Sequence, residues 1–210
     1  MKAHTKETQA AITPQTALQM LKEGNQRFQQ KHMADRDLLD QVSDTKGGQF
    51  PFATVLGCID SRVSAELVFD QGIGDIFSAR VAGNFVNEDI LGSMEFACKL
   101  AGTKLVVVLG HTACGAVKGA CDDAQLGNLT ALISKIKPAV AAVTEPTDAS
   151  ERTSKNIDFV NEVAVKNVEM TIDNIRNQSE VLKDMEANGE IMIIGGMYDI
   201  NDGSVKFFES

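Results

Sequence analysis

The hydrophobic positions of this chain form short apolar runs that alternate with helical stretches. Five runs predict strands, at Phe52–Leu56, Asp75–Val81, Lys104–Leu109, Glu190–Ile194 and Ser204–Phe208. The run Lys104–Leu109 (KLVVVL) does not alternate with polar residues, which is typical of a strand covered on both faces. The last run follows Asp202-Gly203, a hairpin-type turn, and is predicted to be an edge strand.

Apolar residues at helical spacing, together with helix-start signals, predict the helices. Their approximate positions are Thr13–Lys31, Val63–Phe69, Asp89–Leu100, Asp123–Ala142 and Ser154–Glu186. The first begins with a capping threonine and a proline at the first helical position. Ser43–Gln49 and Thr144–Thr153 are rich in turn-forming residues and are predicted to be loops.

Strands that alternate with helices indicate an α/β fold. We predict a largely parallel central sheet flanked by helices, with an N-terminal helical arm. The whole chain, residues 1–210, is interpreted as one domain, with the arm over 1–45 and the α/β core over 46–210.

Composition narrows the class of protein. Apolar residues make up 43% and charged residues 23% of the 210 residues, which is ordinary for a soluble globular protein. No apolar run reaches the ~18–20 residues needed to cross a bilayer, so no membrane span is expected. The net charge of −9 argues against nucleic acid or an anionic membrane surface as a partner. The polar N-terminus has no apolar signal segment, so we expect a cytoplasmic location, with the periplasm as the alternative if a signal has been removed.

Four cysteines and three histidines are the residues with the most specific chemistry. Four cysteines are too few for a disulfide-stapled scaffold, and reduced, buried thiols are their ordinary interpretation. However, Cys58 lies just after one predicted strand, and His111 and Cys114 lie just after another. If those strands are parallel neighbours, their carboxyl ends meet, and ligands gather at such ends.

Two thiolates and one imidazole are a suitable ligand set for zinc. Three protein ligands with one open position are typical of a catalytic zinc site, whereas a structural site has four. Asp60 is a candidate fourth ligand in a closed state, and Arg62 is placed to hold that carboxylate as a bidentate pair. Either Arg62 keeps Asp60 off the metal, or Asp60 binds the metal and closes the site. The ordinary alternatives are a surface Asp–Arg pair and a histidine buried in the core.

The segments Cys58-Ile59-Asp60-Ser61-Arg62 and His111-Thr112-Ala113-Cys114-Gly115 resemble the β-class carbonic anhydrases. The resemblance extends from about Gln49 to Gly119 and more loosely beyond. It implies one zinc ion per chain, held by Cys58, His111 and Cys114, with Asp60 and Arg62 as a catalytic dyad. The implied reaction is the reversible hydration of CO₂ to bicarbonate and a proton, by attack of zinc-bound hydroxide on CO₂.

The resemblance also implies a substrate site and a partner. Gln49, Phe77, Ala82 and Phe96 match the positions that line the small substrate pocket of the family. The helix that starts near Ala113–Gly115 is expected to add N–H donors, that of Gly115 among them, close to the anionic product. The family forms dimers with pockets at the interface, so a homodimer is expected, with a tetramer as the alternative.

Some members of the family have a regulatory bicarbonate site that uses tryptophan, arginine and tyrosine. Arg80 and Tyr198 match two of its positions, but the chain contains no tryptophan, so that site is incomplete here. Two other functions remain open at this point. One is a thiol-based redox or metal sensor, which gives no role to Asp60 and Arg62; the other is an inactive bicarbonate-binding relative.

Overall fold

A five-stranded sheet forms the centre of the protein in the computed structural model, which describes residues 2–208. The strands are β1 Ala53–Gly57, β2 Ile76–Arg80, β3 Leu105–His111, β4 Met192–Tyr198 and β5 Val205–Phe207. Their order is β2-β1-β3-β4-β5; the first four are parallel, and β5 is antiparallel to β4. This arrangement confirms the predicted α/β fold with a largely parallel sheet and a final edge strand.

Ten α-helices within residues 2–208 surround the sheet. They are α1 Lys6–Ala10, α2 Pro14–Gln29, α3 Leu38–Thr45, α4 Ala65–Val68, α5 Glu88–Glu95, α6 Gly115–Cys121, α7 Gly127–Ser134, α8 Lys137–Ala142, α9 Ile157–Gln178 and α10 Glu180–Ala187. A π-helical turn, Phe96–Leu100, continues α5. As predicted, Thr13 caps α2, and its hydroxyl accepts the N–H of Thr16. In this part of the chain, no helix is both long and apolar enough to cross a membrane.

The prediction of one continuous helix over 123–142 was wrong. Two helices, α7 and α8, lie within this range, and Pro138 is in the first turn of the second. Because proline has no N–H to continue the bonding of α7, the chain starts a new helix there.

The helix predicted over 154–186 is also divided, at Ser179. The hydroxyl of Ser179 accepts the N–H of Leu182 and thereby caps α10. An internal serine that competes for backbone groups in this way favours a new helix start over continuation of α9.

Two helices of the N-terminal region were not predicted from the apolar spacing. The first is α1, which Thr5 caps. The second is α3, whose cap Asp37 accepts the N–H groups of Leu39 and Asp40. The segment Ser43–Gln49 was predicted to be a loop, but its first three residues belong to α3.

Strand β4 runs four residues beyond the predicted end, and Gly195 explains the difference. A Cβ atom there would lie 2.7 Å from side-chain atoms of Val168 and Phe208. Glycine therefore allows α9 and the C-terminal segment to pack closely against the middle of the strand.

Strand β3 separates two hydrophobic layers. Leu105, Val107 and Leu109 face the side covered by α2 and α4, and Val106 and Val108 face α9 and α10. All five side chains are fully buried, which confirms that this strand is covered on both faces.

The carboxylate of Asp70 connects the N-terminal region to the core. Its side chain is fully buried and pairs with the guanidinium groups of Arg27 and Arg36. It also accepts the N–H of Ala34 at 3.1 Å. Burial alone would raise the pKa of Asp70, but these three hydrogen-bond partners together hold that pKa below its ordinary value.

We expect Asp70→Asn to lower the free energy of unfolding by about 3–5 kcal/mol at pH 7, because it leaves the buried Arg36 without its counter-charge. The carboxylate stabilises the fold above its ordinary pKa of about 4, and this contribution is lost as the pH falls towards the lower folded-state pKa. The difference between parent and variant should therefore narrow in acid. Urea unfolding of both proteins, at pH 7 and across the acid range, measures this difference in the free energy of unfolding.

Glu169→Gln is the matched control, because it removes the carboxylate of an exposed ion pair with Lys166. This variant should cost less than about 1 kcal/mol. If the two variants lost the same free energy of unfolding, the ion pairs of Asp70 would not be what anchors the N-terminal region.

Candidate metal centre

The pairing of β1 with β3 brings the predicted ligands to one edge of the sheet. The two strands are parallel neighbours, and Gly57 at the end of β1 lies opposite Leu109. Cys58 directly follows β1, His111 is the last residue of β3, and Cys114 is the cap residue of α6. Residues 53 positions apart in the chain thus meet because the carboxyl ends of parallel neighbours coincide.

Cys58, His111 and Cys114 form a compact buried cluster. Their ligand atoms all lie within 4.8 Å of one another, and the two Sγ atoms are 3.9 Å apart. The three residues expose between 0% and 3% of their surface. The cluster therefore offers two sulfur atoms and one nitrogen to an ion that binds between them.

The hydrogen bonding of His111 leaves Nε2 available to a metal. Nδ1 is 3.0 Å from the carbonyl oxygen of Thr112. A carbonyl oxygen only accepts, so Nδ1 carries the proton and Nε2 presents a lone pair. Nε2 is buried and has no hydrogen-bond partner among the described residues. A buried, unpartnered nitrogen costs free energy that a metal ion recovers, and together with two thiols this donor set fits zinc.

The two thiols influence each other because they are in contact. A hydrogen bond from Cys114 lowers the pKa of Cys58, and the same contact raises the pKa of Cys114, as does its burial. Both thiols can be ionised at the same time only when a positive charge lies close to them. A divalent cation supplies that charge, which is the usual way in which two adjacent cysteines ionise together.

Asp60 and Arg62 form the bidentate pair that the sequence suggests as one alternative. Nε of Arg62 donates to Oδ1 at 2.9 Å, and Nη2 donates to Oδ2 at 2.7 Å. The backbone N–H of Arg62 donates to Oδ1 as well, at 3.0 Å. These hydrogen bonds hold the pKa of Asp60 well below its usual range, so the carboxylate is ionised at neutral pH. Its Oδ2 atom lies 4.0 Å from Nε2 of His111, beside the cluster.

Arg80 is a further contributor to the site. Its Nε donates to the carbonyl of Cys58 at 2.8 Å, and its Nη2 donates to the carbonyl of Asp60 at 2.7 Å. Sequence reasoning linked Arg80 to an incomplete regulatory pocket and missed this role. Its place at the end of β2, the strand beside β1, was the available signal.

The predicted substrate-binding residues do not form one pocket within a single chain. Ala82 immediately precedes Gly83, whose N–H reaches Sγ of Cys58 at 3.4 Å, and Gly115 immediately follows Cys114. Phe77 and Phe96 pack edge to face, with ring centroids 6.3 Å apart. Both line a cavity of about 580 Å³ whose lining includes none of the three metal-ligand candidates. Gln49 is exposed just before β1.

Comparisons with known proteins identify a family that this chain resembles. A family model described as carbonic anhydrase matches residues 53–205. Carbonic anhydrase 2 of Mycobacterium tuberculosis is 34% identical over 198 residues, covering 90% of each chain. A carbonic anhydrase of Mycolicibacterium smegmatis is 32% identical and covers 92% of each. Among solved structures, a β-carbonic anhydrase of Aspergillus fumigatus superposes with a TM-score of 0.69 at 26% identity, covering 93% of this chain and 90% of that one.

Proposed function

This chain belongs to the β-carbonic anhydrase family, whose general reaction is the hydration of CO₂, and we propose that it carries out that reaction at the Cys58–His111–Cys114 cluster with a bound zinc ion. As a member of this family it is a carbonate dehydratase, a lyase. The single observation that carries the proposal is the buried cluster of two thiols and a free Nε2 beside an ionised carboxylate.

Cys58, His111 and Cys114 would hold the ion and leave one position open. Zinc bound there supplies a Lewis acid that brings the pKa of a water ligand towards neutrality and so provides the nucleophile for CO₂. With two thiolate ligands the site has less positive charge than a three-histidine site, so we expect a weaker Lewis acid here.

Asp60 would orient the attacking oxygen. Each carboxylate oxygen has two lone pairs, and Oδ2 of Asp60 uses only one of them to accept Nη2 of Arg62. Oδ2 can therefore accept one further hydrogen bond. Arg62 sets the direction of that acceptor, and Arg80 fixes the backbone of Cys58 and Asp60. Held in this way, the acceptor needs little reorganisation during the reaction.

Because CO₂ carries no charge, an apolar surface binds it better than a charged side chain does. Phe77, Ala82 and Phe96 offer such surfaces, and the amide of Gln49 would donate to an oxygen of CO₂ or bicarbonate. Gly115 is exposed at the first position of α6, where the backbone N–H has no intrahelical acceptor and is available to the anionic product.

A second copy of the chain would complete this pocket. Phe77 lies on β2, an edge strand of the sheet, and Phe96 beside it is 53% exposed. Leu67 on α4, which packs against β2, is 60% exposed. Apolar side chains around an open strand edge are typical of an interface. We therefore propose a homodimer formed across this edge.

Sedimentation analysis is expected to give twice the 22.6 kDa chain mass at micromolar concentration, or four times that mass if dimers pair further. Leu67→Glu should shift the equilibrium towards the monomer, because it buries a charge in the interface. Leu126→Glu is the matched control, since Leu126 is also exposed (70%) but lies between α6 and α7. A monomeric parent protein, or equal dissociation by both variants, would contradict the proposed interface.

We also propose a cytoplasmic location. The four cysteines are all unpaired, which suits a reducing compartment. Cell fractionation tests this directly.

Stopped-flow measurement of CO₂ hydration, with zinc determined on the same sample, tests the proposed function. The expected result is hydration well above the buffer rate in protein that carries one zinc ion per chain. Zinc-loaded protein without hydration would contradict an active enzyme and favour a bicarbonate-binding relative. Cysteines that oxidise reversibly in protein lacking both zinc and activity would favour a thiol sensor.

A further inference from the structure

Helix α9 carries a buried side-chain amide that the proposed mechanism does not use. Asn167 is 3% exposed, and Val163, Ala164 and Val168 of the same helix are buried as well. A buried amide is costly unless it is hydrogen-bonded. Its Nδ2 donates to the carbonyl of Gly83 at 2.8 Å, across 84 positions of the chain.

Gly83 belongs to the turn that contacts a metal-ligand candidate. The N–H of Asn84 bonds to the carbonyl of Val81, and Gly83 has φ +80, as the third position of a type II turn requires. A Cβ atom on Gly83 would lie 2.4 Å from Cδ1 of Ile136, so the turn is closely packed. The N–H of Gly83 points to Sγ of Cys58 at 3.4 Å. Asn167 thus holds one side of a glycine whose other side donates to the thiol.

A second asparagine of α9 reaches the other ligand turn. Oδ1 of Asn161 accepts the N–H of Ala113 at 2.9 Å. Ala113 lies between His111 and Cys114 and has φ +55, a left-handed conformation that is uncommon for a residue with a side chain. Such a conformation persists when surrounding contacts enforce it, and this hydrogen bond is one of them. Backbone partners also fix both amide orientations, because an N–H needs an oxygen and a carbonyl needs an NH₂ group.

We propose that Asn161 and Asn167 are positioning residues for the metal centre, each fixing one turn at the thiols through a single backbone hydrogen bond. Asn161 holds the turn between His111 and Cys114, and Asn167 holds the turn whose N–H contacts Cys58. Asn161 and Asn167 are about 9 Å apart along the axis of α9, so one helix sets the relative position of both turns. The inference rests on the proposed function, because it requires a metal at this cluster.

The test removes each amide and measures the metal centre without relying on activity. Asn167→Leu and Asn161→Leu are each expected to weaken Zn²⁺ affinity by about 10–100-fold, measured by competition with a chelator. In the Co²⁺-loaded protein, Asn167→Leu should also shift the thiolate-to-cobalt charge-transfer band to longer wavelength. The Gly83 N–H would no longer stabilise the sulfur lone pair, so charge transfer would cost less energy. If Asn167→Leu does not fold, Asn167→Ser is measured in its place.

Two further variants distinguish positioning from general destabilisation. Asn25→Leu removes another buried amide, which bonds to the carbonyls of Val68 and Gly203, and should leave affinity and band unchanged. Asn161→Asp keeps an oxygen that can accept the N–H of Ala113. Its Zn²⁺ affinity should therefore stay within about threefold of that of the parent. A folded Asn167 variant with parental band and affinity would overturn the inference, as would equal changes in Asn25→Leu. A parent protein that binds neither Zn²⁺ nor Co²⁺ would instead overturn the proposed function, and this inference with it.

Discussion

Cys58→Ser is expected to remove most of the bound zinc and to lower CO₂ hydration by more than about 1,000-fold. A serine hydroxyl does not ionise near neutral pH, so one of only three protein ligands is lost. Without the ion, no Lewis acid would lower the pKa of the attacking water, so that water stays a poor nucleophile at neutral pH. Zinc determination and stopped-flow hydration on the same sample measure both effects.

Cys98→Ser is the matched control for this change. Cys98 is also buried, 2% exposed, but it contacts Thr103 and lies outside the metal-ligand cluster. It should keep parental zinc content and activity, with at most a loss of stability from burying a hydroxyl. If Cys58→Ser retained zinc and activity, or if both variants lost them equally, the assignment of Cys58 as a ligand would be wrong.

Asp60→Asn should keep its zinc and lose about 100-fold or more of its activity. Asp60 is not among the three ligands, so the ion stays bound. An amide, however, turns an NH₂ group towards the guanidinium of Arg62, which itself only donates. The pair then loses its geometry, and the attacking oxygen loses its oriented acceptor, an effect of the size seen when one preorganised polar group is removed. Zinc content and hydration rate are compared with those of the parent.

The control for the dyad is Asp123→Asn, which removes the carboxylate of another aspartate paired with a basic side chain, Lys137. Asparagine tolerates the positive φ of residue 123, so the backbone is not strained by the change. This variant should hydrate CO₂ like the parent. Parental activity in Asp60→Asn would remove Asp60 from the catalytic assignment, and loss of zinc in that variant would place Asp60 in the ligand set.

The sheet and the ligand cluster were predictable because both follow from strong local patterns. The run Lys104–Leu109 has no polar alternation, which indicates a central strand, and β3 is covered on both faces. Cys58 and His111 each come at the end of such a run, and parallel pairing places those ends together. The two ligand motifs carried most of the family resemblance, and the comparisons confirm the family.

The parts that were missed depend on interactions between distant segments. Asn161 and Asn167 are polar residues in a mixed helix, and nothing in the sequence distinguishes a side-chain amide that binds a backbone N–H or carbonyl from a solvated one. Arg80 likewise acts through carbonyl oxygens, which leave no mark in the side-chain pattern. The break before α8 is different, because Pro138 was a readable signal.

The central claim is that Cys58, His111 and Cys114 bind the catalytic metal and leave one position open. Zinc-edge X-ray absorption of the zinc-loaded protein near pH 7 tests this claim most directly. The account predicts one zinc ion per chain with two sulfur ligands at about 2.3 Å and two lighter ligands at about 2.0–2.1 Å, one of them an imidazole nitrogen. A coordination sphere with no sulfur, or with three or more sulfur ligands, would contradict it.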